Sequence, residues 1–302
     1  MILMKSSPKK IHKALIAAAG WSTRFLPAVK SYAKHLVPVL TKPQIQYLIE
    51  ELIGAGITDI AIVHRHGEHT IKDHFRPDPE LEAYLKASGK EACLDSLRFI
   101  WSKVKHFKFI PQPRHLPYGN GVPIIAAQSF IGNDPFVYLW GDDLTIEDQP
   151  GTFLSSMIAA YQKYQPDGIL AVQEVTASEI SRYGSVSYAK NPQIPYQIDG
   201  IVEKPAPELA PSLFAQGSRF IVSPKIIPVL KNQQTTKGEL WFTEAENSLV
   251  QQGGVILGLP YQNAFWTTTG DPLNWLKANL TLALRDPILS EPIRSFLKAQ
   301  RL

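Results

Sequence analysis

The sequence alternates short apolar runs with segments whose apolar residues recur every three or four positions. Runs of this length are typical of buried strands. They occupy residues 13–19, 58–63, 107–112, 135–140 and 168–175. Between the first two runs, the apolar side chains from Ile45 to Ile53 follow helical spacing and form one stripe. A strand, a crossover helix and a second strand make a right-handed unit with parallel strands, so the pattern predicts an α/β fold.

The helix between these strands is bounded by residues that commonly begin and end helices. Thr41 can cap its N-terminus, and Pro43 suits its first turn. Gly54 and Gly56 lie where the apolar spacing ends and predict its C-terminus. Similar helical patterns cover residues 151–164, 274–285 and 291–302.

The composition is that of a chain of 302 residues with 44% hydrophobic content, which allows a sizeable core. No apolar stretch approaches the ~20 residues of a membrane-spanning helix, and the apolar part of Met1–Lys10 is too short for a signal peptide. One cysteine, Cys93, excludes an intrachain disulfide and indicates a reducing cytoplasm. A net charge of +4 suits anionic substrates but gives no dense basic face for nucleic acid. We expect a cytoplasmic protein without membrane or nucleic-acid partners.

The first apolar run ends in small residues and a glycine, and an arginine follows. Ala18, Ala19 and Gly20 end the predicted strand, and Arg24 comes shortly afterwards. Glycine lets the backbone approach an anion so that successive N–H groups point at it, and arginine offers forked donors that suit phosphate. The stretch therefore predicts a loop that binds a nucleotide triphosphate. The alternative is a glycine placed there for packing alone.

Two adjacent carboxylates follow another predicted strand. Asp142 and Asp143 come directly after the apolar run 135–140 and Gly141. In parallel sheets, ligands bind outside the carboxyl ends of the strands. Oxygen ligands such as carboxylates are those that Mg²⁺ takes. We predict that Asp142 binds a Mg²⁺ ion that bridges the nucleotide phosphates, and a solvated turn is the alternative.

The phosphate loop is the first of several motifs that occur in a fixed order. Arg24 continues into Phe-Leu-Pro-Ala-Val-Lys, and Lys-Pro-Gln-Ile-Gln-Tyr follows at 42–47; Gly-Asp-Asp stands at 141–143, Val-Glu-Lys-Pro at 202–205 and Thr-Thr-Gly-Asp at 268–271. From Lys13 to Pro287 these motifs resemble the sugar-1-phosphate nucleotidyltransferases, most closely the bacterial UTP-glucose-1-phosphate uridylyltransferases. The resemblance implies a Rossmann-like three-layer nucleotidyltransferase fold, of the α/β class, with a central mixed, mostly parallel sheet.

The resemblance also implies a domain organisation. We expect a nucleotidyltransferase catalytic domain over residues 1–270 and a C-terminal helical extension over 271–302, which would form a homo-oligomer, either a dimer or a tetramer. Residues 76–106 are polar with a helical pattern and are expected to form a peripheral insertion or lid. Four histidines precede this insertion at a spacing that suits a metal site. Because the family has a solvent-facing turn and helix there, we interpret them as surface residues: His64, His66, His69 and His74.

The implied reaction transfers a uridylyl group from UTP to glucose-1-phosphate and gives UDP-glucose and pyrophosphate, with Mg²⁺ as cofactor. The nucleophile is already an anion, so catalysis depends on positioning and charge neutralisation rather than on a general base. By resemblance, Arg24 and Lys34 bind the leaving pyrophosphate and Lys204 binds the transferring phosphate. Asp142 is the metal ligand.

The remaining implied residues bind the two substrates. The glutamine after the third apolar run and the loop that follows it recognise the uracil edge in the family, and the Val-Glu-Lys-Pro glutamate holds sugar hydroxyls. The nucleotide-binding residues expected here are Ala18, Ala19, Gly20, Gln112 and Gly119. The sugar-binding residues expected here are Gly184 and Glu203.

Several residues depart from the family pattern. Ser22 replaces a glycine where a positive φ would favour glycine, His35 replaces a glutamate, and Thr268 replaces the second metal-binding aspartate. Mg²⁺ needs only one or two carboxylates, so the loss at Thr268 weakens the site without abolishing it. Pro117 and Asn120 replace a glycine and a histidine of the base-recognition loop.

These departures leave two alternatives to an active UTP-glucose-1-phosphate uridylyltransferase. One is a degenerate, non-catalytic or regulatory homologue that binds nucleotide or sugar phosphate without turnover. The other is a nucleotidyltransferase that uses a different nucleotide or sugar-1-phosphate.

Overall fold

The computed structural model describes residues 10–300, in which a mixed nine-stranded sheet carries helices on both faces. The described strands are β1 (Lys13–Ala18), β2 (Pro38–Val39), β3 (Lys42–Pro43), β4 (Asp59–His64), β5 (His106–Pro111), β6 (Phe136–Trp140), β7 (Asp143–Glu147), β8 (Gly168–Glu174), β9 (Gly184–Tyr188), β10 (Ile198–Glu203), β11 (Phe214–Val222), β12 (Ile256–Pro260) and β13 (Ala264–Thr268). The predicted absence of a signal peptide concerns residues 1–9, which lie outside the described residues. The last two residues of the predicted terminal helix also lie outside them.

The helices occur between the strands and after the last of them. They are α1 (Gln44–Gly54), α2 (Thr70–His74), α3 (Pro79–Ala87), α4 (Glu91–Lys103), α5 (Val122–Ala126), α6 (Gln128–Ile131), α7 (Thr152–Tyr164), α8 (Ile226–Asn232), α9 (Phe242–Gln251), α10 (Pro272–Ala283) and α11 (Ser290–Ala299). None of the helices in this part of the chain is both long and apolar enough to cross a bilayer.

Four neighbouring strands, in the order β5, β4, β1 and β6, are parallel. β11 continues the sheet antiparallel to β6, and it also pairs with β8 and β9. β12 then lies parallel to β8. Parallel strands end at the same edge of a sheet, so the loops after β1, β5 and β6 open on one side. The predicted Rossmann-like α/β fold with a central mixed sheet is confirmed.

Alternate residues of β1 face opposite layers, as the pleat of a strand requires. Ala14 and Ile16 belong to a core shared with α1 and α7. Leu15 belongs to a second core shared with α5, α8 and α9. All three side chains are fully buried, because the sheet is covered on both faces. This sandwich holds the ends of the parallel strands in place.

The start of α1 differs from the prediction. Lys42 and Pro43 form the short strand β3, which pairs with β2, and the helix begins at Gln44 without a side-chain cap. The interpretation of Thr41 as the cap is therefore wrong. The buried Gln44 side chain instead donates a hydrogen bond to the Gly141 carbonyl oxygen at 2.6 Å. This tertiary contact joins the first helix to the turn before Asp142.

The interpretation of the four histidines as surface residues is correct for three of them. His66, His69 and His74 are exposed, whereas His64 is buried because it is the last residue of β4. The His64 Nδ1 atom lies 3.1 Å from the Arg65 carbonyl oxygen. Within residues 10–300, no group of three or more His, Cys, Asp or Glu side chains is placed to hold a metal ion.

A buried ion pair joins α1 to the middle of the sheet. Arg219 on β11 is fully buried and donates to both carboxylate oxygens of Glu51, with Nε–Oε1 and Nη2–Oε2 distances of 2.8 and 2.7 Å. Its Nη2 atom also donates to the Asp143 carbonyl oxygen at 3.2 Å. Burial disfavours the charge, but the Glu51 carboxylate raises the pKa of Arg219. The pair therefore fixes the backbone just after Asp142.

The segment over 76–106 contains α3 and α4, and whether it acts as a lid stays a prediction. α10 packs against the N-terminal part of the chain, where the Trp275 Nε1 atom donates to the Pro38 carbonyl oxygen at 2.9 Å. The Leu40 N–H donates to the Asn279 side chain at 2.9 Å. The proposed boundary between residues 270 and 271 therefore separates parts that are in contact, and it also stays a prediction.

Candidate active site

A cavity of about 350 Å³ opens where the parallel strands end. Its wall brings together seven of the residues singled out from the sequence, which come from the loops after β1, β5 and β6 and from the turn at Lys34. They are Ala19, Gly20, Arg24, Lys34, Gln112, Gly119 and Asp142. Residues more than 120 positions apart in the chain therefore meet at one site. The topology of the sheet is the reason, because it brings three strand ends to one edge.

Four other predicted site residues lie outside this wall. Ala18 is buried and lines a second cavity of about 200 Å³, which adjoins the first at Gly20 and Ser22. The cavity wall also does not include Gly184, Glu203 or Lys204, although the Lys204 ammonium lies over the ring of Trp241, which does line the cavity. The binding roles of all four residues stay predictions.

The loop after β1 has the backbone conformation that the sequence indicated. Ser22 has a φ of 61° and a ψ of 30°, in the left-handed region, where glycine carries no steric penalty. Its hydroxyl donates to the Gly20 carbonyl oxygen at 3.3 Å. The expectation of a positive φ at this position is confirmed, and a serine can adopt it here. The turn that follows brings Arg24 to the cavity.

The loop after β5 is held partly by a neighbouring segment that contains Leu240 and Phe242. The Leu240 N–H donates to the Tyr118 carbonyl oxygen at 2.7 Å, and the Gly121 N–H donates to the Leu240 carbonyl oxygen at 2.9 Å. Gly119 has a φ of 132°, and a Cβ there would lie 2.3 Å from the Leu240 carbonyl oxygen. Asn120 accepts a hydrogen bond from the Phe242 N–H at 2.7 Å. The asparagine at the family's histidine position therefore has a structural role.

Asp142 is fixed through its backbone and paired through its side chain. Thr269 donates to the Asp142 carbonyl oxygen from both its N–H and its hydroxyl, at 2.7 and 2.8 Å. The Lys34 ammonium contacts the Asp142 Oδ2 atom. Burial opposes ionisation of this carboxyl, but Lys34 outweighs it and the pKa of Asp142 is lowered. A Cβ at Gly270 would lie 2.9 Å from Oδ2, so only glycine leaves room beside this carboxylate.

Of Asp142, Asp143 and Asp271, only Asp142 lines this cavity, whose wall also contains Glu239. Asp143 is buried, and burial together with its neighbour Asp142 raises its pKa to about 7. Asp271 caps α10 by accepting from the Asn274 N–H at 3.0 Å. Neither of these carboxylates lines the cavity. A single ionised carboxylate suits Mg²⁺ where phosphate oxygens and waters complete the coordination.

His35 lies under the same turn. It is 2% exposed, and burial followed by the neighbouring Lys34 lowers its pKa to about 3, so its ring is neutral. The ring packs below Gly141, where a Cβ would lie 2.9 Å from the His35 Cδ2 atom. A glutamate at this position would offer Lys34 a second carboxylate. With a neutral histidine, the carboxylate that Lys34 contacts is Asp142.

The residues predicted to bind sugar rest on a buried polar cluster. Gly184 is buried, and a Cβ there would lie 3.0 Å from the Gln216 Oε1 atom, which accepts from the Thr243 hydroxyl at 2.9 Å. Gln216 also donates to the Glu246 carboxyl. Burial raises the pKa of Glu246 well above its usual range, and the nearby Glu203 raises it further. Burial and the charge of Glu203 therefore both favour the protonated form of Glu246.

The sequence alone did not single out three large residues of the cavity wall, namely Tyr118, Trp140 and Trp241. Trp140 ends the apolar run 135–140, and an aromatic residue in such a run looks the same whether it packs in a core or faces a ligand. Trp241 carried the clearer signal. By resemblance, residues 237–245 correspond to Gly-Gly-Glu-Ile-Gln-Leu-Thr-Asp-Ala of the family pattern, so Trp241 stands where that pattern has glutamine.

Known proteins resemble this chain in sequence and in fold. Residues 13–284 match the sequence profile of the family described as nucleotidyl transferase.

The chain belongs to the nucleotidyl transferase family.

A UTP-glucose-1-phosphate uridylyltransferase of Staphylococcus epidermidis is 35% identical to this nucleotidyl transferase over 291 residues, which are 96% of this chain and 98% of the relative. A solved UDP-glucose pyrophosphorylase from Acinetobacter baumannii superposes with a TM-score of 0.84 at 31% identity and covers 96% of this chain and 99% of its own. A UTP-bound enzyme of the same kind from Acinetobacter baumannii superposes with a TM-score of 0.83 at 31% identity and covers 95% and 98%. The similarity is therefore spread over the whole fold.

Thr268→Asp is expected to raise the affinity of this nucleotidyl transferase for Mg²⁺ about tenfold, because it adds a charged ligand beside Asp142. The same change is expected to lower the stability of the metal-free protein by up to ~1 kcal/mol, since position 268 pairs with Asp143 across the β7–β13 ribbon. Calorimetric titration with Mg²⁺ and thermal unfolding measure the two effects.

Thr267→Asp is the matched control, because successive residues of a strand face opposite sides. It adds the same charge one residue away and is expected to leave Mg²⁺ affinity unchanged. Equal affinities in Thr268→Asp and the unmodified protein would show that position 268 does not face the metal.

Proposed function

We propose that this nucleotidyl transferase transfers a uridylyl group from UTP to glucose-1-phosphate and releases pyrophosphate and UDP-glucose. One observation carries the proposal: the left-handed loop at Ser22, the Lys34–Asp142 pair and Gln112 lie around one cavity. This arrangement provides backbone donors, cations and the Asp142 carboxylate around a cavity that could hold a triphosphate. The relatives named above carry the same activity in their names and support the choice of UTP and glucose-1-phosphate.

In this proposal the residues of the chain act by binding and orienting anions. The loop at Gly20 and the Arg24 guanidinium bind the leaving pyrophosphate. Lys34 also binds this pyrophosphate once its ammonium has moved away from Asp142. Gln112, with an amide that both donates and accepts, reads the edge of the base. Mg²⁺, bound by Asp142, would neutralise charge that develops on the phosphate oxygens. Alignment of the attacking oxygen with the phosphorus supplies most of the remaining acceleration.

A pyrophosphate-release assay tests the proposal. Purified protein is incubated with each of UTP, dTTP, CTP, ATP and GTP, paired with glucose-1-phosphate or galactose-1-phosphate, with Mg²⁺ or with EDTA. We expect release with UTP and glucose-1-phosphate in the presence of Mg²⁺ only. Pyrophosphate release only with another pair would show that this other pair, and not UTP with glucose-1-phosphate, is the substrate pair.

A regulatory homologue that binds without turnover is the second candidate, and Thr268 and His35 favour it because each replaces a carboxylate of the family pattern. Calorimetric binding of UTP together with no pyrophosphate release under any pairing would select it.

We further propose that the protein is a cytoplasmic homo-oligomer. The terminal helix α11 buries none of its residues within the described chain, and Phe296 on it is 59% exposed. Ile288, just before it, is 78% exposed. Apolar side chains left uncovered at one end of a chain support self-association, and light scattering measures the molar mass that decides it.

A further inference from the structure

Trp241 links the nucleotide cavity to the cation of Lys204. Its indole ring forms part of the cavity wall. The Lys204 Nζ atom lies 4.3 Å from the centroid of that ring, which is a cation–π geometry. We propose that Trp241 is a positioning residue, which holds the Lys204 ammonium where the phosphate of the sugar-1-phosphate enters. This inference rests on the proposed function.

The backbone of Lys204 is fixed, so the side chain begins from a defined point. Its φ is 43°, in the left-handed region, which is strained for a non-glycine residue and persists where surrounding contacts enforce it. One such contact is the hydrogen bond from the Lys204 N–H to the Tyr183 carbonyl oxygen at 3.1 Å. The side chain itself is about half exposed, with 47% of its surface accessible. An incoming anion can therefore reach this side chain.

Two groups compete for the Lys204 ammonium. The Glu203 Oε1 atom lies 3.3 Å from it, and the centroid of the Trp241 ring lies 4.3 Å from it. An ammonium drawn only to Glu203 would neutralise the carboxylate that is proposed to bind sugar hydroxyls. The ring offers a second attraction that leaves the ammonium donors free for phosphate oxygens, because a cation–π contact uses the ring face and no hydrogen-bond acceptor.

The indole is held by the same segment that holds the base-recognition loop. Leu240, before it, pairs with Tyr118 and Gly121, and Phe242, after it, donates to Asn120. The Trp241 carbonyl oxygen accepts from Gln233 Nε2 at 3.0 Å. The backbone on both sides of Trp241 is thus attached to the loop that faces the nucleotide. Trp241 therefore lies between the loop that lines the nucleotide cavity and the Lys204 ammonium.

The residue type matters because the family has glutamine at this position. An amide has no ring face for a cation, and it would hydrogen-bond to water or to Glu203 instead. Trp241→Gln therefore gives this chain the family residue, and Trp241→Leu removes the ring but retains an apolar side chain. Trp241→Phe keeps an aromatic face of smaller size.

The test compares the kinetic constants of Trp241 variants in proteins that contain Lys204 and in proteins that carry Lys204→Met. KM and kcat for UTP and for glucose-1-phosphate are measured for Trp241→Leu, Trp241→Gln and Trp241→Phe, each with Lys204 present and with Lys204→Met. We expect the first two variants to raise KM for glucose-1-phosphate about fivefold. Trp241→Phe should recover most of this loss, and KM for UTP should change by less than about twofold in all three. In the Lys204→Met background the loss of the ring should have no further effect, as a double-mutant cycle requires of residues that act together.

Different results overturn different statements. If Trp241→Leu raises KM for glucose-1-phosphate equally with Lys204 and with Lys204→Met, the ring does not act through Lys204. If Trp241→Leu leaves this KM unchanged with Lys204 present, the ring does not position Lys204 either. If the unmodified protein turns over none of the substrate pairs, the proposed function fails. Calorimetric titration of glucose-1-phosphate into the same variants then tests the inference without turnover, with weaker binding expected on loss of the ring. Thermal unfolding of each variant identifies any that are not folded, and Trp241→Phe remains informative if the other two are lost.

Discussion

Glu51→Ala is expected to lower the free energy of unfolding by about 3–5 kcal/mol, because it leaves the guanidinium of Arg219 buried without its counter-ion. Arg219 has no accessible surface, so water cannot replace the carboxylate. For a chain of this size the midpoint of thermal unfolding should fall by roughly 10 °C. Thermal and urea-induced unfolding, followed by circular dichroism, measure the change.

Glu50→Ala is the matched control one residue earlier on α1. Glu50 also pairs with a cation, since its Oε2 atom lies 2.6 Å from the Lys42 Nζ atom, but the lysine side chain is 39% exposed. Loss of a partly exposed pair is expected to cost less than about 1 kcal/mol. A double replacement, Glu51→Met with Arg219→Met, should recover part of the lost stability because it removes both buried charges. Equal losses for Glu50→Ala and Glu51→Ala would contradict the assigned role of the pair.

The strands and their direction were predictable because each strand has a recognisable local pattern in the sequence. The runs 13–19 and 135–140 are apolar, short and followed by glycine, and these features depend on neighbouring residues only. Once the strands are parallel, their ends must meet at one edge, so the proximity of Gly20 and Asp142 follows from topology. Both residues line the cavity.

Contacts between distant residues have no such local pattern. Glu51 and Arg219 are 168 positions apart, and each looks like a surface charge when read alone. Threonine is a common helix-capping residue, so Thr41 was expected to cap α1. Residues 42 and 43 pair with β2 instead, and the helix begins only at Gln44. His64 looks like its exposed neighbours, and it is buried only because the strand extends to include it. In each instance a tertiary contact decides what the local pattern leaves open.

The pairing of Lys34 with Asp142 belongs to the same class. The sequence assigned the lysine to pyrophosphate and the aspartate to Mg²⁺, and nothing in the spacing placed one against the other. In the structure the ammonium contacts the carboxylate that the metal would use. Binding of a metal–nucleotide complex would therefore separate the pair, because the phosphates attract the lysine and the cation attracts the aspartate.

Asp142→Asn is expected to lower kcat for UDP-glucose formation by about 100-fold or more, because removal of the ionised ligand removes a contribution of several kcal/mol to charge neutralisation. The folded structure should persist, since the substitution leaves the backbone carbonyl that accepts from Thr269 in place and the amide, similar in size to the carboxylate, fits beside Gly270. The measurement is the pyrophosphate-release rate at saturating UTP and glucose-1-phosphate, repeated over a range of Mg²⁺ concentrations.

Asp148→Asn makes the same chemical change beyond the end of β7. Asp148 is 91% exposed and pairs with Arg285 at 2.6 Å, away from the cavity, so its loss should leave kcat within about twofold. If Asp142→Asn acts through the metal, higher Mg²⁺ should recover part of its activity, whereas no concentration should change the ratio for Asp148→Asn. Activity of Asp142→Asn close to that of the unmodified protein at low Mg²⁺ would assign the metal to another group. The Lys34–Asp142 pair would then be an ion pair that orders the turn.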